Sequence, residues 1–306
     1  MKDIKESENS DLINIITPNG DNNNKEERYG EYLLINQIYK TKSGELLLVS
    51  KDDKDCKDNK KYILNKIEII NDEMKLKIEK EIHKINQIDS KFIMKINEYF
   101  IINKEEKKFF CIILNYYENK LFNIIYETNF LISRYIWKIF VQIIFGLNSL
   151  NSNGILPKYL FPESIFIDED NNIKIGGIGI SLDIVNKSKD EKDLLSYISP
   201  EIIKGEKNDD EKNFIWSAGC ILYELFFKSR AFDNKNYKKL EHSILQIDYN
   251  LPYDGDKELN IIIPKLLCEK NKRATIKELI FNGIFKNKII ETNLFNEVGK
   301  PNIQGK

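Results

Sequence analysis

The chain has 306 residues, 42% hydrophobic and 31% charged, with a net charge of -1 at pH 7. Such values suit an ordinary folded protein of one large domain or two modest ones, and exclude a nucleic-acid surface built on excess positive charge. Four widely spaced cysteines (Cys56, Cys111, Cys220, Cys268), no C-x-x-C pair and only His83 and His242 argue against a structural zinc site and for reduced thiols. The first ten residues are charged and carry no secretory signal, and no glycine follows Met1 for myristoylation. The most apolar stretch, 136–150, contains Lys138, Gln142 and Asn148 and is too short for a membrane span.

In chain order, residues 1–28 are polar and read as a disordered tail. Apolar runs at 32–38, 45–49 and 62–69, separated by a glycine turn and a charged loop, predict strands in hairpins. Ile78, Ile82, Ile85 and Ile88 recur at helical spacing and predict a helix over 72–88, followed by strands at 96–102 and 109–114. After Asn115 the period changes. Ile132, Ile136, Ile139, Ile143, Leu147 and Leu150 mark an amphipathic helix with Ser133 as its start signal. A hairpin of 165–167 and 173–175 turns at 168–172, and 214–227 predicts a helix buried all round. The outline is α+β: a small antiparallel β-rich lobe at 29–115, a larger helical lobe at 116–287 and a tail at 288–306.

The motifs make that outline specific. Gly146-Leu-Asn-Ser-Leu-Asn-Ser-Asn-Gly154-Ile-Leu-Pro157-Lys158-Tyr159-Leu160-Phe161-Pro162-Glu163-Ser164 runs without a gap to Asp168 and on to Gly176-Gly177-Ile178-Gly179. Ser199-Pro200-Glu201, Ile215-Trp216-Ser217-Ala218-Gly219 and Lys272-Arg273-Ala274 follow in order. Over about residues 29–287 this pattern resembles a eukaryotic protein kinase domain, nearest in flavour to the NIMA-related serine/threonine kinases. The resemblance implies a two-lobed fold and marks where ATP, magnesium and a protein substrate would be handled.

In the same register the chemical positions differ from the family's. Phosphoryl transfer relies on positioning, metal ions and charge stabilisation. The glycine loop keeps only Gly44, with Tyr39 and Thr41 where glycines let backbone approach the phosphates. Asn65 stands in the slot of the phosphate-gripping lysine, and Lys66 should point to the other sheet face, unless the strand slips by one residue, because strand side chains alternate. Glu81 fits the lysine's partner position, although an exposed helix charge explains it equally well. Tyr159 replaces the catalytic aspartate, and a phenol of pKa about 10 is a poor base. Ser164 and Gly177 replace the two magnesium ligands, and Phe161 a phosphate-contacting lysine. Leu194 replaces a substrate-docking threonine, and Phe214 the aspartate that braces the catalytic loop. Asp168 and Asp170 read as turn residues. Leu114, Asn115 and Tyr116 form the expected hinge, whose backbone can still hold an adenine.

The resemblance implies that Glu201 and Arg273 form a buried ion pair, and Glu81, Pro162, Trp216 and Gly219 complete the retained framework. The residues lost are chemical and those kept structural. The expectation from sequence is therefore a chain that is not an enzyme: a pseudokinase serving as scaffold or allosteric regulator, with no metal and at most weak, metal-independent ATP binding. Its partner would be a protein such as an active kinase, with no nucleic acid or membrane, in the cytoplasm. Two alternatives stand beside it. One is a divergent kinase using displaced residues such as Lys40, Lys66 or Asp168. The other is an ATP-binding switch.

Overall fold

The computed structural model describes residues 27–40, 44–51, 60–128, 130–155, 160–176, 194–206, 211–252 and 256–294. The polar segment 1–26, the glycine-loop residue Thr41, the Pro157–Tyr159 positions and Gly177 lie outside these. The described residues gather into two compact units. The first draws on 27–87 and 94–116, the second on 88–93 and on the chain from 117 onward.

The first unit is a six-stranded antiparallel sheet with one helix. Its strands are β1 (Arg28–Tyr29), β2 (Tyr32–Lys40), β3 (Gly44–Lys51), β4 (Lys60–Glu68), β5 (Ile96–Lys104) and β6 (Lys107–Asn115), in the order β1-β2-β3-β4-β6-β5. β-Branched and aromatic runs joined without a helix pair as consecutive antiparallel strands, whereas the connection through the helix at 72–87 carries β5 past β6 to the sheet edge. Both faces of β4 are buried from Ile63 to Ile67. Tyr29, Tyr32, Leu47, Val49, Leu64, Cys111 and Ile113 form a core on one of them. Burial pushes the Cys111 thiol up to about 12, so it serves as an apolar side chain. Helix α1 (Asp72–Gln87) buries Ile78, Ile82 and Ile85, the face that its spacing predicts. The Asn86 side chain both donates to and accepts from the backbone of Ile96, each at 3.1 Å, which ties the helix end to the edge strand β5.

The second unit is mostly helical. A short strand β7 (Asn119–Lys120) leads directly into α2 (Leu121–Glu127), and α3 (Ser133–Ser152) follows. Ser133 does not cap α3: Ile132 holds the cap position, and the Ser133 hydroxyl donates to Asp256 at 3.1 Å. Strands β8 (Ile165–Ile167) and β9 (Ile173–Ile175) form the expected hairpin, with β7 as a third strand. The remaining helices are α4 (Pro200–Ile203), α5 (Lys212–Phe227), α6 (Tyr237–Gln246), α7 (Leu259–Leu266), α8 (Ile276–Phe281) and α9 (Gly283–Glu291). Every residue of α5 from Asn213 to Leu225 is buried, as its continuous apolar run predicts. None of the described helices is long and apolar enough to cross a membrane.

Gly219 shows why α5 can sit so deep. A Cβ there would stand 2.7 Å from Leu266 Cβ and 3.0 Å from Leu267 Cδ2. Leu266 Cβ is fixed to the backbone of α7, so one helix would have to move. Gly219→Ala should therefore cost about 1–3 kcal/mol by overpacking, despite alanine's better helix propensity. A lowered midpoint in urea denaturation checks this; an unchanged or raised midpoint would show that α7 yields freely.

Candidate functional site

The lysine slot lies in the middle of β4. Asn65 pairs in register with Leu46 of β3 and Ile112 of β6, and it is 1% exposed. Lys66 pairs with Glu45 and Cys111 and so shares the face of Leu64, opposite Asn65. Its ammonium lies 3.2 Å from Glu45 and 4.4 Å from the centre of the Phe109 ring. The strand has not slipped, and Lys66 is held by a partly desolvated carboxylate and an aromatic face. Glu81 is half-buried on α1, just before buried Ile82. Leu114 and Asn115 end β6 with Tyr116 next along, and the Asn115 side chain accepts from Asn97 at 2.8 Å.

In the second unit, Pro162 opens a single 3-10 turn over Pro162–Ser164. The Ser164 hydroxyl donates to the Phe161 carbonyl at 2.7 Å, and Gly176 N–H donates to the Ser164 carbonyl at 2.8 Å. Asp168 accepts from the backbone of Asp170 and Asn172 and pairs with Lys174 at 3.3 Å, so it organises the hairpin turn.

Two polar residues that sequence reasoning passed over fix this region. Gln142 of α3, fully buried, accepts from Ile173 N–H at 2.8 Å and donates to the Asn172 side chain at 3.1 Å, pinning the hairpin to the helix. Glu224 of α5 is also fully buried. It accepts from the hydroxyls of Tyr126 and Tyr197, the latter at 2.5 Å, with Arg230 Nε 3.7 Å away. Burial raises its carboxyl above the usual range against the opposing hydrogen bonds and the Arg230 charge. Their only sequence signal was a polar residue on the apolar face of a helix.

The segment before α4 is held tightly. Ser199 donates to Asn213 at 3.0 Å, and Ser217 to the Tyr197 carbonyl at 2.8 Å. Leu194, Leu195, Ser196, Tyr197 and Ser199 are all buried, and so is Phe214 on α5. Arg273 donates to both Glu201 oxygens, at 2.9 and 3.1 Å, to the Lys212 carbonyl at 2.8 Å and to the Cys268 carbonyl at 2.8 Å. Its guanidinium lies 4.8 Å over the ring of Trp216, which stacks on Phe232. Burial alone would raise the Glu201 carboxyl, but the hydrogen bonds and charge of Arg273 outweigh it and hold the group below its ordinary value. A depressed folded-state value contributes stability above the unfolded pKa of about 4.5, lost as the pH falls through the folded one. Stability should therefore decline on the acid side of that value, and less steeply in a Glu201→Gln variant. Equal acid limbs for the two proteins would remove Glu201 as a cause.

A protein kinase domain model matches residues 42–283. The chain belongs to the protein kinase family. With its antiparallel small-lobe sheet and helical C-terminal region, it has the α+β fold of that family. A probable serine/threonine-protein kinase of Dictyostelium discoideum is 32% identical over 228 residues, covering 71% of this chain. The chain spans about a quarter of that relative's length, 26%. Both findings point to an enzyme and overturn the expectation that this kinase-family chain is not one. That expectation weighed the replaced side chains alone.

The family implies a magnesium–nucleotide complex, and the described residues do not fit its usual grip. Asn65 brings no charge to the lysine slot, Lys66 is engaged on the opposite sheet face, and the Ser164 hydroxyl is turned to its own backbone. No catalytic step follows from these side chains.

Proposed function

We propose that this chain is a divergent serine/threonine-type protein kinase domain, nearest in pattern to the NIMA-related members. In this reading it is an enzyme that uses ATP unconventionally, and it also binds, as a scaffold or allosteric regulator, a protein partner such as an active kinase in the cytoplasm. Any handling of ATP is unconventional, since position 65 holds an uncharged amide and Lys66 is committed to Glu45. The observation that carries the reading is the contrast between the paired framework of Glu201 and Arg273 and the lysine slot filled by Asn65. The catalytic part of this reading is favoured by the family match and the kinase relative.

The test is the melting temperature of the purified protein with ATP, alone and with Mg²⁺ or Mn²⁺, beside radiolabelled phosphate transfer to a general protein substrate. A ligand that binds only the folded state raises the melting temperature. The catalytic reading expects an ATP-induced rise together with phosphate transfer. A rise with no transfer under any metal condition would overturn it.

A further inference from the structure

The end of α5 carries a lysine where its backbone suits a glycine. Lys228, the C-terminal cap of α5, has φ of 55°, a left-handed conformation that glycine adopts more readily. Its backbone N–H donates to the Glu224 carbonyl at 2.9 Å, a bond that any residue but proline could make. The ammonium reaches α2 instead. It donates to the Ile125 carbonyl at 2.7 Å, to the Ile124 carbonyl at 3.4 Å and to the Thr128 hydroxyl at 3.1 Å. All three acceptors are neutral, and no carboxylate among the described residues pairs with this ammonium. Burial lowers its pKa, so the charge is partly stripped of water and unmatched.

Thr128 caps α2, and its hydroxyl donates to the Ile124 carbonyl at 2.5 Å while accepting from Lys228. The hydroxyls of Tyr29, Tyr32, Tyr126, Tyr197 and Ser133 donate instead to carboxylates, where a phosphate would meet like charge. The neighbouring Glu127 is turned back one helical turn to the Asn123 amide at 2.6 Å, so its carboxylate does not take up Lys228. Thr128 is exposed, and so are Phe130 and Ile132 beyond it, which leaves this connection open to another protein. An exposed hydroxyl beside an unmatched ammonium is a place where an added anion gains a partner at once.

We propose that Thr128 is a phosphorylation site whose phosphate is held by Lys228. A protein kinase acting on this chain supplies the group from ATP. Thr128 Oγ1 forms a bond to the γ-phosphorus as the bond from that phosphorus to the β,γ-bridging oxygen breaks; ADP leaves, and the hydroxyl proton passes to that kinase's base. The product carries about −1.5 to −2 charges at neutral pH and has no proton left to give the Ile124 carbonyl. Lys228 turns to the phosphate, because a bond between two charged groups is stronger than one to a carbonyl. The last turn of α2 then loses both its lysine and its threonine donors and loosens. The chain is the substrate of this step, so the proposal can fail while the reading of its own ATP use stands, and the reverse.

The chain is isolated under phosphatase inhibition from the cells that produce it, digested with trypsin and sequenced by mass spectrometry. Residues 121–134 form one tryptic peptide that holds Tyr126, Thr128 and Ser133, so fragmentation decides among them. Phosphate on Thr128 is expected. An unmodified peptide, or phosphate on Tyr126 or Ser133 alone, would overturn the proposal. The chain carrying phosphothreonine at position 128, made by genetic-code expansion, then tests the cation. Lys228→Gly removes the ammonium and suits the left-handed backbone, so this variant keeps its fold. The second pKa of the phosphate, about 6 when unpaired, is read by phosphorus NMR. With Lys228 present it should lie lower by roughly half a unit or more than in Lys228→Gly, since a neighbouring cation favours the dianion. Amide hydrogen exchange over 121–128 should also quicken on modification. Equal phosphate midpoints in the two chains, or exchange unchanged by the phosphate, would show that Lys228 does not leave α2 for it and would overturn the proposal.

Discussion

Arg273→Met should cost about 3–5 kcal/mol, because it leaves the Glu201 carboxylate buried without its counter-charge. Against the 5–15 kcal/mol that typically holds a domain together, that is a large fraction, and the variant should unfold at much lower urea. The loss exceeds a single contact for a second reason: the same guanidinium satisfies the carbonyls of Lys212 and Cys268 and covers Trp216. Arg273→Lys should recover little, since an ammonium cannot serve two carboxylate oxygens and two carbonyls from one planar fork. Adding Glu201→Leu to Arg273→Met should recover part of the loss by removing the stranded charge, but not the part owed to the two carbonyls. If Arg273→Met cost less than about 1 kcal/mol, as an exposed pair would, the ion pair would not be what fixes the segment before α4.

Lys66→Met is the second informative change. Lys66 and Glu45 keep only 7% and 14% of their side-chain surface exposed, so breaking the pair should cost about 3 kcal/mol, the lower end of the range for buried pairs. Methionine retains much of the stem's packing against Phe109, and Glu45→Gln in the same chain should recover most of the deficit. A lysine that gripped nucleotide would behave differently. Because Lys66 faces away from Asn65, the ATP-induced melting shift of the variant should equal that of the parent chain. Loss of that shift, at a stability matched by the double variant, would mean that the strand changes register to present Lys66, and would favour the catalytic reading.

Much of the architecture was legible before any coordinates. The isoleucine spacing on α1 and the apolar run of α5 specify buried faces, because burial follows helical period. The 165–175 hairpin followed from two short β-branched runs around an Asp- and Asn-rich turn. Less legible were β7 and α2, whose sequence, Asn119 to Glu127, has no period long enough to separate strand from helix. Ser133 looked like a cap, yet its hydroxyl turned to Asp256, a partner 123 residues away that no local rule finds.

At the candidate site the division is sharper. That Asn65 lies mid-strand, and that its neighbour Lys66 cannot share its face, follows from sequence alone, because strand side chains alternate with a period of two. What holds Lys66 in place could not be read there: Glu45 and Phe109 reach it through strand register, a long-range property set by the packed sheet. The same is true of Glu224, which sequence offers only as a charge in an apolar helix. Burial in a low-dielectric interior demanded donors, and Tyr126 and Tyr197 from two other segments supply them. Sequence by itself determined the kinase-type order of elements and the identity of the groups in each chemical slot. Only the tertiary structure decided which charges are matched, since a buried charge is tolerated only where folding brings its partner within hydrogen-bond reach.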